Sequence, residues 1–265
     1  MFRKMLSVIA VLVLAVSIYG QTEDPVVLKL DFEDEDLGAF LSDSGELELI
    51  KVPVAPSGEY VMKATGDDYA DVEKYISFID ENAKIAFHYL NHGVIYLRVL
   101  ARSIEDGENL YYDVKEFTGN EDKWTPCVVK ASELKNLIPR QHPEPAEAKY
   151  GDVSGKGKNF KNIVFHVKHF VKTSKDPYVL FDNVTIYTGD DKKAPSAPSN
   201  IKVEAKDGKN MLTWSKSTDN IGVAYYSIMD GDKEIGKSSI PQYEVKDGKK
   251  AYTVVAVDFE GNKSK

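Results

Sequence analysis

Apolar and polar residues alternate with a period of two along much of this chain. From Val94 to Arg102, Ile95, Leu97, Val99 and Ala101 share one face, and Tyr96, Arg98, Leu100 and Arg102 the other. Ile85, Phe87 and Tyr89 oppose Ala86 and His88. Leu110, Tyr112 and Val114 oppose Tyr111 and Asp113, and Ile163, Phe165 and Val167 oppose His166 and Lys168. Such alternation, with turn residues between the runs, predicts antiparallel sheets with one buried face. One short helix is expected over Ala131 to Leu137, capped at Ser132. Asp152 to Asn159, rich in Gly and Lys, is expected to be a mobile loop.

The pattern breaks at both ends of the first region. Arg3 and Lys4 precede an apolar run from Met5 to Ile18. That run is shorter than the ~20 residues a membrane span needs, so residues 1–20 read as a signal peptide, with an uncleaved N-terminal anchor as the alternative. Cleavage is placed after Gly20, or after Ser17, with no cysteine nearby to carry a lipid. The second break is GDDKKAPSAPSN, Gly189 to Asn200, where Pro195 and Pro198 suppress helix and central strand. The expected organisation is a domain over 25–189, a stiff linker over 190–200 and a smaller domain over 201–265.

Composition narrows the class of partner. The chain has 34 Lys and Arg against 42 Asp and Glu, and the predicted signal removes two of the cations and no acid. An acidic exported chain argues against nucleic acid and anionic lipid, both of which reward clustered cations. It fits a soluble exported protein or one that holds divalent cations, and the expected signal segment would place the chain outside the cell, in the periplasm or at the cell surface, without membrane insertion after cleavage. Cys127 is the single cysteine, so no intrachain disulfide can form. It sits in the apolar run Cys127-Val128-Val129 and reads as a buried, inert thiol.

Two stretches resemble known families. Ala194–Gly236 (APSAPSNIKVEAKDGKNMLTWSKSTDNIGVAYYSIMDGDKEIG) and Ala251–Ser264 (AYTVVAVDFEGNKS) resemble a bacterial fibronectin type III module. Leu212 and Trp214, Tyr226 and Ile228, and Tyr252, Val254 and Ala256 would point inward on three strands. Thr218-Asp219-Asn220 and Glu260-Gly261-Asn262 would supply turns. The resemblance implies an immunoglobulin-like sandwich serving as a spacer. The family's last strand is missing, which would leave the Tyr252–Val257 strand with an open edge.

The first region resembles the jelly-roll carbohydrate-binding modules of galactose-binding-like fold. The residues are LKLDFEDEDLGAF (Leu28–Phe40), WTPCVVKASELKNL (Trp124–Leu137), FKNIVFHV (Phe160–Val167) and YVLFDNVTIYTG (Tyr178–Gly189). The family's Trp after the opening Phe-Glu is absent here. The fold expected is therefore all-β, an antiparallel jelly-roll sandwich followed by a smaller one.

Two places could carry chemistry. Asp182 shares strand parity with Leu180, Val184 and Ile186, so it would face the core and require a partner. In the resembling modules the matching acids hold a structural Ca²⁺, which would assign Glu33 and Asp182, and more weakly Asp31, as metal ligands. The alternative is an Asp182 that accepts turn N–H groups beside a solvated acidic run. The second place is the polar sheet face. His88, Tyr96, Arg98, Tyr111, Asp113, His166 and Lys168 all oppose the apolar parity of their strands. Aromatic faces with directional hydrogen-bonding groups suit a polysaccharide, and the resembling modules bind glycans on such a face. An ordinary solvated surface would carry similar residues. Tyr60, Tyr69 and Tyr75 offer loop aromatics, whereas Trp124 is expected to anchor its strand.

No Gly-x-Ser-x-Gly elbow, HExxH helix or Walker loop occurs. The reading is a secreted, non-catalytic carbohydrate-binding protein recognising an extracellular or cell-wall glycan. The alternatives are an adhesive surface protein that pairs a protein partner at the open edge, and a polysaccharide lyase using Tyr, His and Arg.

Overall fold

The computed structural model describes residues 26–35, 37, 40–66, 69–119, 121–138, 143, 145–169, 176–248 and 251–265; the expected signal segment lies outside them. The first region forms β1 (Val26–Leu30), β2 (Leu41–Ser44), β3 (Glu46–Lys51), β4 (Tyr60–Thr65), β5 (Tyr69–Ile79), β6 (Ala83–His92), β7 (Val94–Arg102), β8 (Asn109–Glu116), β9 (Thr125–Lys130), β10 (Lys135–Leu137), β11 (Tyr150–Ser154), β12 (Phe160–His169) and β13 (Tyr178–Thr188). The second forms β14 (Ser199–Lys206), β15 (Lys209–Ser215), β16 (Val223–Asp230), β17 (Lys233–Ser238), β18 (Gln242–Val245) and β19 (Thr253–Asp258).

In the first region one sheet runs β3-β4-β13-β6-β9, with β1 also on β13. The other runs β11-β10-β8-β7-β12-β5-β2. The antiparallel, all-β sandwich expected from the alternation is what forms. Ile85, Phe87, Leu97, Val99, Leu110, Ile163, Phe165 and Val167 fill its core. Phe165 stacks on Phe181 at 4.7 Å and meets Phe87 edge-on at 4.9 Å, so three rings join the two sheets.

The second region packs β14-β15-β18 against β17-β16-β19. Leu212, Trp214, Tyr226, Ile228, Val254 and Ala256 form its core, as their parity predicts, with Tyr252 packed partly buried against it.

Four local expectations fail for identifiable reasons. Ala131 to Leu137 is a single 3₁₀ turn (Ala131–Glu133) followed by β10. Lys130, not Ser132, caps the turn, and extended Leu134 leads into the sheet. The loop expected from Asp152 begins as strand β11, paired with β10. Only Gly fits at its end, since a Cβ on Gly155 would lie 1.9 Å from the Ala131 carbonyl oxygen. Along β13 the register against β6 shifts between Asp182 and Thr185, and Asn183 takes φ 51°. This bulge flips the parity: Val179, Phe181, Val184 and Ile186 face the core, and Leu180, Asp182 and Tyr187 face away from it. The expected open edge of β19 is partly covered. Gly261 (φ 88°) turns the chain back, Lys263 bridges Val257, and the Ser264 amide donates to the Ala256 carbonyl at 2.9 Å.

The two regions are not held apart by a free linker. The second packs on the face of the β13–β6 sheet that Asp182 and Tyr187 occupy. Ile221 meets Ala86 and Tyr187, and Ile240 packs against the cluster of Ala55, Val61, Trp124 and Leu180. Trp124 is therefore buried, as expected. Glu260 accepts from Lys84 (2.6 Å) and Tyr187 (2.7 Å) across the junction.

Candidate functional site

The seven-stranded sheet assembles most of the predicted polar face. Register places Asp113, Arg98, His166 and Asp71 side by side on β8, β7, β12 and β5. Tyr96 lies two residues from Arg98 on the same face, and its ring sits under the guanidinium at 4.8 Å. Tyr111 stands on the neighbouring rung, opposite Leu100.

These side chains form one network. Arg98 Nε donates to Asp113 Oδ1, and the Tyr150 hydroxyl donates to Asp113 Oδ2. His166 Nδ1 contacts Asp71 Oδ1, and its Nε2 lies 3.1 Å from the Tyr96 hydroxyl. An ionised carboxylate only accepts, so in the neutral ring Nδ1 carries the proton and Nε2 accepts from Tyr96. Burial first, and then the Asp113 bond, raise the Tyr150 phenol well above its ordinary value.

The face is roofed rather than solvated. Arg98 and Tyr96 are 0% exposed, and Tyr111 and His166 are buried. Ala148 and Tyr150 pack over Leu100, Tyr111, Leu137 and Val164. A cleft of about 280 Å³ opens beside them, lined in part by Tyr111, Asp113, Lys135 and Tyr150. Beneath this roof Nη1 and Nη2 of Arg98 make no hydrogen bond of good geometry among the described residues, although the guanidinium lies close enough to the Tyr150 hydroxyl to oppose the rise of its pKa.

Other predicted residues fall elsewhere. His88 belongs to the opposite sheet and faces the second region, with Nε2 2.8 Å from the Ala224 carbonyl oxygen. Burial holds its pKa down to about 4. Lys168 pairs with Tyr96 in register, and its side chain lies outside the described residues. Tyr75 is exposed, and Tyr60 donates to Glu35. The Cys127 thiol is pushed up to about 12 by burial. Asp71 escaped the sequence reading although Tyr69, Asp71, Glu73 and Tyr75 alternate along β5. Tyr150 follows a loop with no periodic signal.

Glu33 and Asp182 both anchor the turn over residues 57–60, whose Gly58 carbonyl the Lys216 amine reaches. Glu33 Oε1 accepts the Glu59 and Tyr60 amides, both at 2.8 Å. Asp182 accepts the Ser57 and Asn183 amides, both at 2.7 Å, and Asp31 Oδ1 accepts the Glu33 amide at 3.4 Å. Lys216 of the second region reaches in, and its Nζ donates to the Gly58 carbonyl. Burial raises Asp182 to about 8, and the Lys216 charge opposes that rise. Burial lowers Lys216, and Asp182 and Glu33 oppose that shift. Ca²⁺ needs six to eight oxygens. Here the acids accept backbone amides, and the neighbouring Gly58 carbonyl accepts the Lys216 ammonium.

No protein-family model matches the chain, and no curated protein does. Among solved structures the similarities are distant. TmCBM61, in complex with β-1,4-galactotriose, is 11% identical with a TM-score of 0.40, over 63% of this chain and 97% of that one. The family 11 carbohydrate-binding module of a cellulosomal cellulase of Clostridium thermocellum is 16% identical with a TM-score of 0.37, over 58% and 91%. The glycoside hydrolase domain of Endo-D from Streptococcus pneumoniae R6 is 18% identical with a TM-score of 0.38, over 85% of this chain but 36% of that one. No role of these proteins is carried over from so distant a likeness.

Proposed function

We propose that this chain is an exported, non-catalytic glycan-binding protein whose ligand face is the Asp113–Arg98–His166–Asp71 row. The observation that carries the reading is Arg98, fully buried, paired through Nε with Asp113 and lying beside the Tyr150 hydroxyl, with Nη1 and Nη2 making no hydrogen bond of good geometry among the described residues. A buried donor without an acceptor costs about 1–3 kcal/mol, more when charged, so the fork is primed for a ligand acceptor. Planar N–H pairs fit a carboxylate or sulfate in bidentate fashion. The ligand class is therefore a polysaccharide bearing acidic groups, with Tyr111 and Tyr150 flanking the cleft. Entry requires the Ala148–Tyr150 segment to lift. The second region resembles fibronectin type III modules and acts as a brace on the opposite sheet.

Affinity electrophoresis against neutral, uronic-acid and sulfated polysaccharides tests this. Retardation by an acidic polymer, lost in Arg98→Met with an unchanged far-ultraviolet spectrum, is the expected result. Equal retardation of the variant would place the ligand elsewhere.

The Tyr96–His166–Asp71 relay favours one second reading, a β-eliminating lyase. Tyr96, passing its own proton to His166 Nε2, would take the proton α to a uronate carboxylate held by Arg98. The glycosidic C–O bond would break as the double bond forms, and the leaving oxygen would take the proton that Tyr96 had gained. Ultraviolet absorbance from unsaturated sugar would favour this reading. Binding without such product favours the first.

A further inference from the structure

Asp191 of the linker, Asp219 of the β15–β16 loop and Asp258 at the end of β19 converge at the base of the second region. One carboxylate oxygen from each lies within 4.8 Å of the others. Ligands held 2.3–2.6 Å from a common calcium ion stand at most about 5 Å apart, so these oxygens can share one. Turn N–H groups aim each acid. Asp191 Oδ1 accepts the Lys193 amide (3.0 Å) and Asn220 Nδ2 (3.2 Å). Asp219 Oδ1 accepts the Ile221 and Gly222 amides, and Asp258 Oδ1 those of Glu260 and Asn262.

Two of the three second oxygens are unanswered among the described residues, and the third, Asp258 Oδ2, accepts Asn262 Nδ2 at 2.8 Å. Asp191 is 7% exposed, and its Oδ2 is buried with no hydrogen-bond partner among the described residues. Asp219 Oδ2 is in the same state. No lysine or arginine pairs with these three carboxylates among the described residues. Lys29 comes near, yet its Nζ donates to the Asp219 carbonyl (2.8 Å), not to the side chain. Burial, then the neighbouring acids, raise Asp219 to about 6, and burial also raises Asp258. Three crowded acids with two buried oxygens unanswered make a cation cradle.

We propose that Asp191, Asp219 and Asp258 bind one Ca²⁺, which clips the linker to the second region. Magnesium is the weaker fit, because it demands near-ideal octahedral geometry and these acids are set by turn amides at fixed angles. The affinity expected of an extracellular module is about 0.1–1 mM. A bound ion would fix the linker where it enters the interface between the two regions.

Thermal denaturation and calorimetric titration of the full chain with CaCl₂, MgCl₂ or chelator test this. Calcium at tenfold excess over Kd should raise Tm by about 3–6 °C relative to chelator. Asp191→Asn keeps the Oδ1 acceptor, so it should fold and lose at least tenfold in calcium affinity. Asp182→Asn, altered at the other buried acid, should keep the response. An unchanged Tm with no heat of binding at 10-fold the upper Kd would overturn the proposal. So would an equal response in Asp191→Asn, or magnesium acting as strongly as calcium.

Discussion

Two buried acidic clusters sit within the same molecule and are answered differently. At Glu33 and Asp182, backbone amides occupy the carboxylates and Lys216 brings an ammonium from the second region. At Asp191, Asp219 and Asp258, turn amides orient the acids, but no side-chain cation joins them among the described residues. The motif resemblance pointed to a metal at the first cluster, and geometry points to one at the second. A carboxylate's environment, not its place in a motif, decides which cation it takes.

Removing the ammonium should have the largest effect. Lys216→Met takes away the charge that opposes the burial of Asp182 and should cost about 2–4 kcal/mol in urea unfolding at pH 9, where Asp182 is ionised. Added calcium should recover part of that loss in the variant. A variant as stable as the parent would show that the amides alone satisfy Asp182. The calcium response of the intact chain, about 3–6 °C in Tm, comes next.

The pH dependence of stability separates the buried titrating groups. Asp182 is raised from 3.8 to about 8, so its contribution is complete below pH 3.8 and is lost as pH rises to about 8. His88 is lowered from 6.5 to about 4, so its contribution is complete above pH 6.5 and is lost as pH falls to about 4. The two oppose each other between pH 4 and 6.5. From 6.5 to 8 the His88 contribution is flat and the Asp182 slope remains, up to about 2 kcal/mol. Urea titrations of the parent and of Asp182→Asn check this, since the variant should lose that fall.

Asp31→Asn should do least, about 0.5 kcal/mol or less, since Asp31 accepts only a long 3.4 Å amide bond. A larger loss, or a changed calcium response, would reinstate Asp31 as a ligand.

Strand parity made much of this molecule legible. Leu97 and Val99 against Tyr96 and Arg98, and Phe165 against His166, could be assigned to faces from alternation alone, because the period of two is geometric. Neighbouring strands then brought Arg98, Asp113 and His166 into one row. The failures share a cause: long-range contact. The Asn183 bulge reverses the parity of β13 within one residue, and no local pattern announces it. His88 reads as a polar-face residue and is one, but the second region covers that face. Tyr150 and Lys216 act far from their neighbours in sequence, so only the folded chain shows that they meet Asp113 and the Asp182 pocket.

The most direct test of the central claim is to follow the Arg98 Nε–H and His166 ring resonances while a uronic-acid oligosaccharide is titrated into the full chain. Saturable shifts are expected at Arg98, His166 and Tyr150, with the core of the second region unmoved. Shifts confined to Tyr60, Tyr75 or the Lys84–Glu260 junction, or no shift with any acidic or neutral sugar, would contradict it.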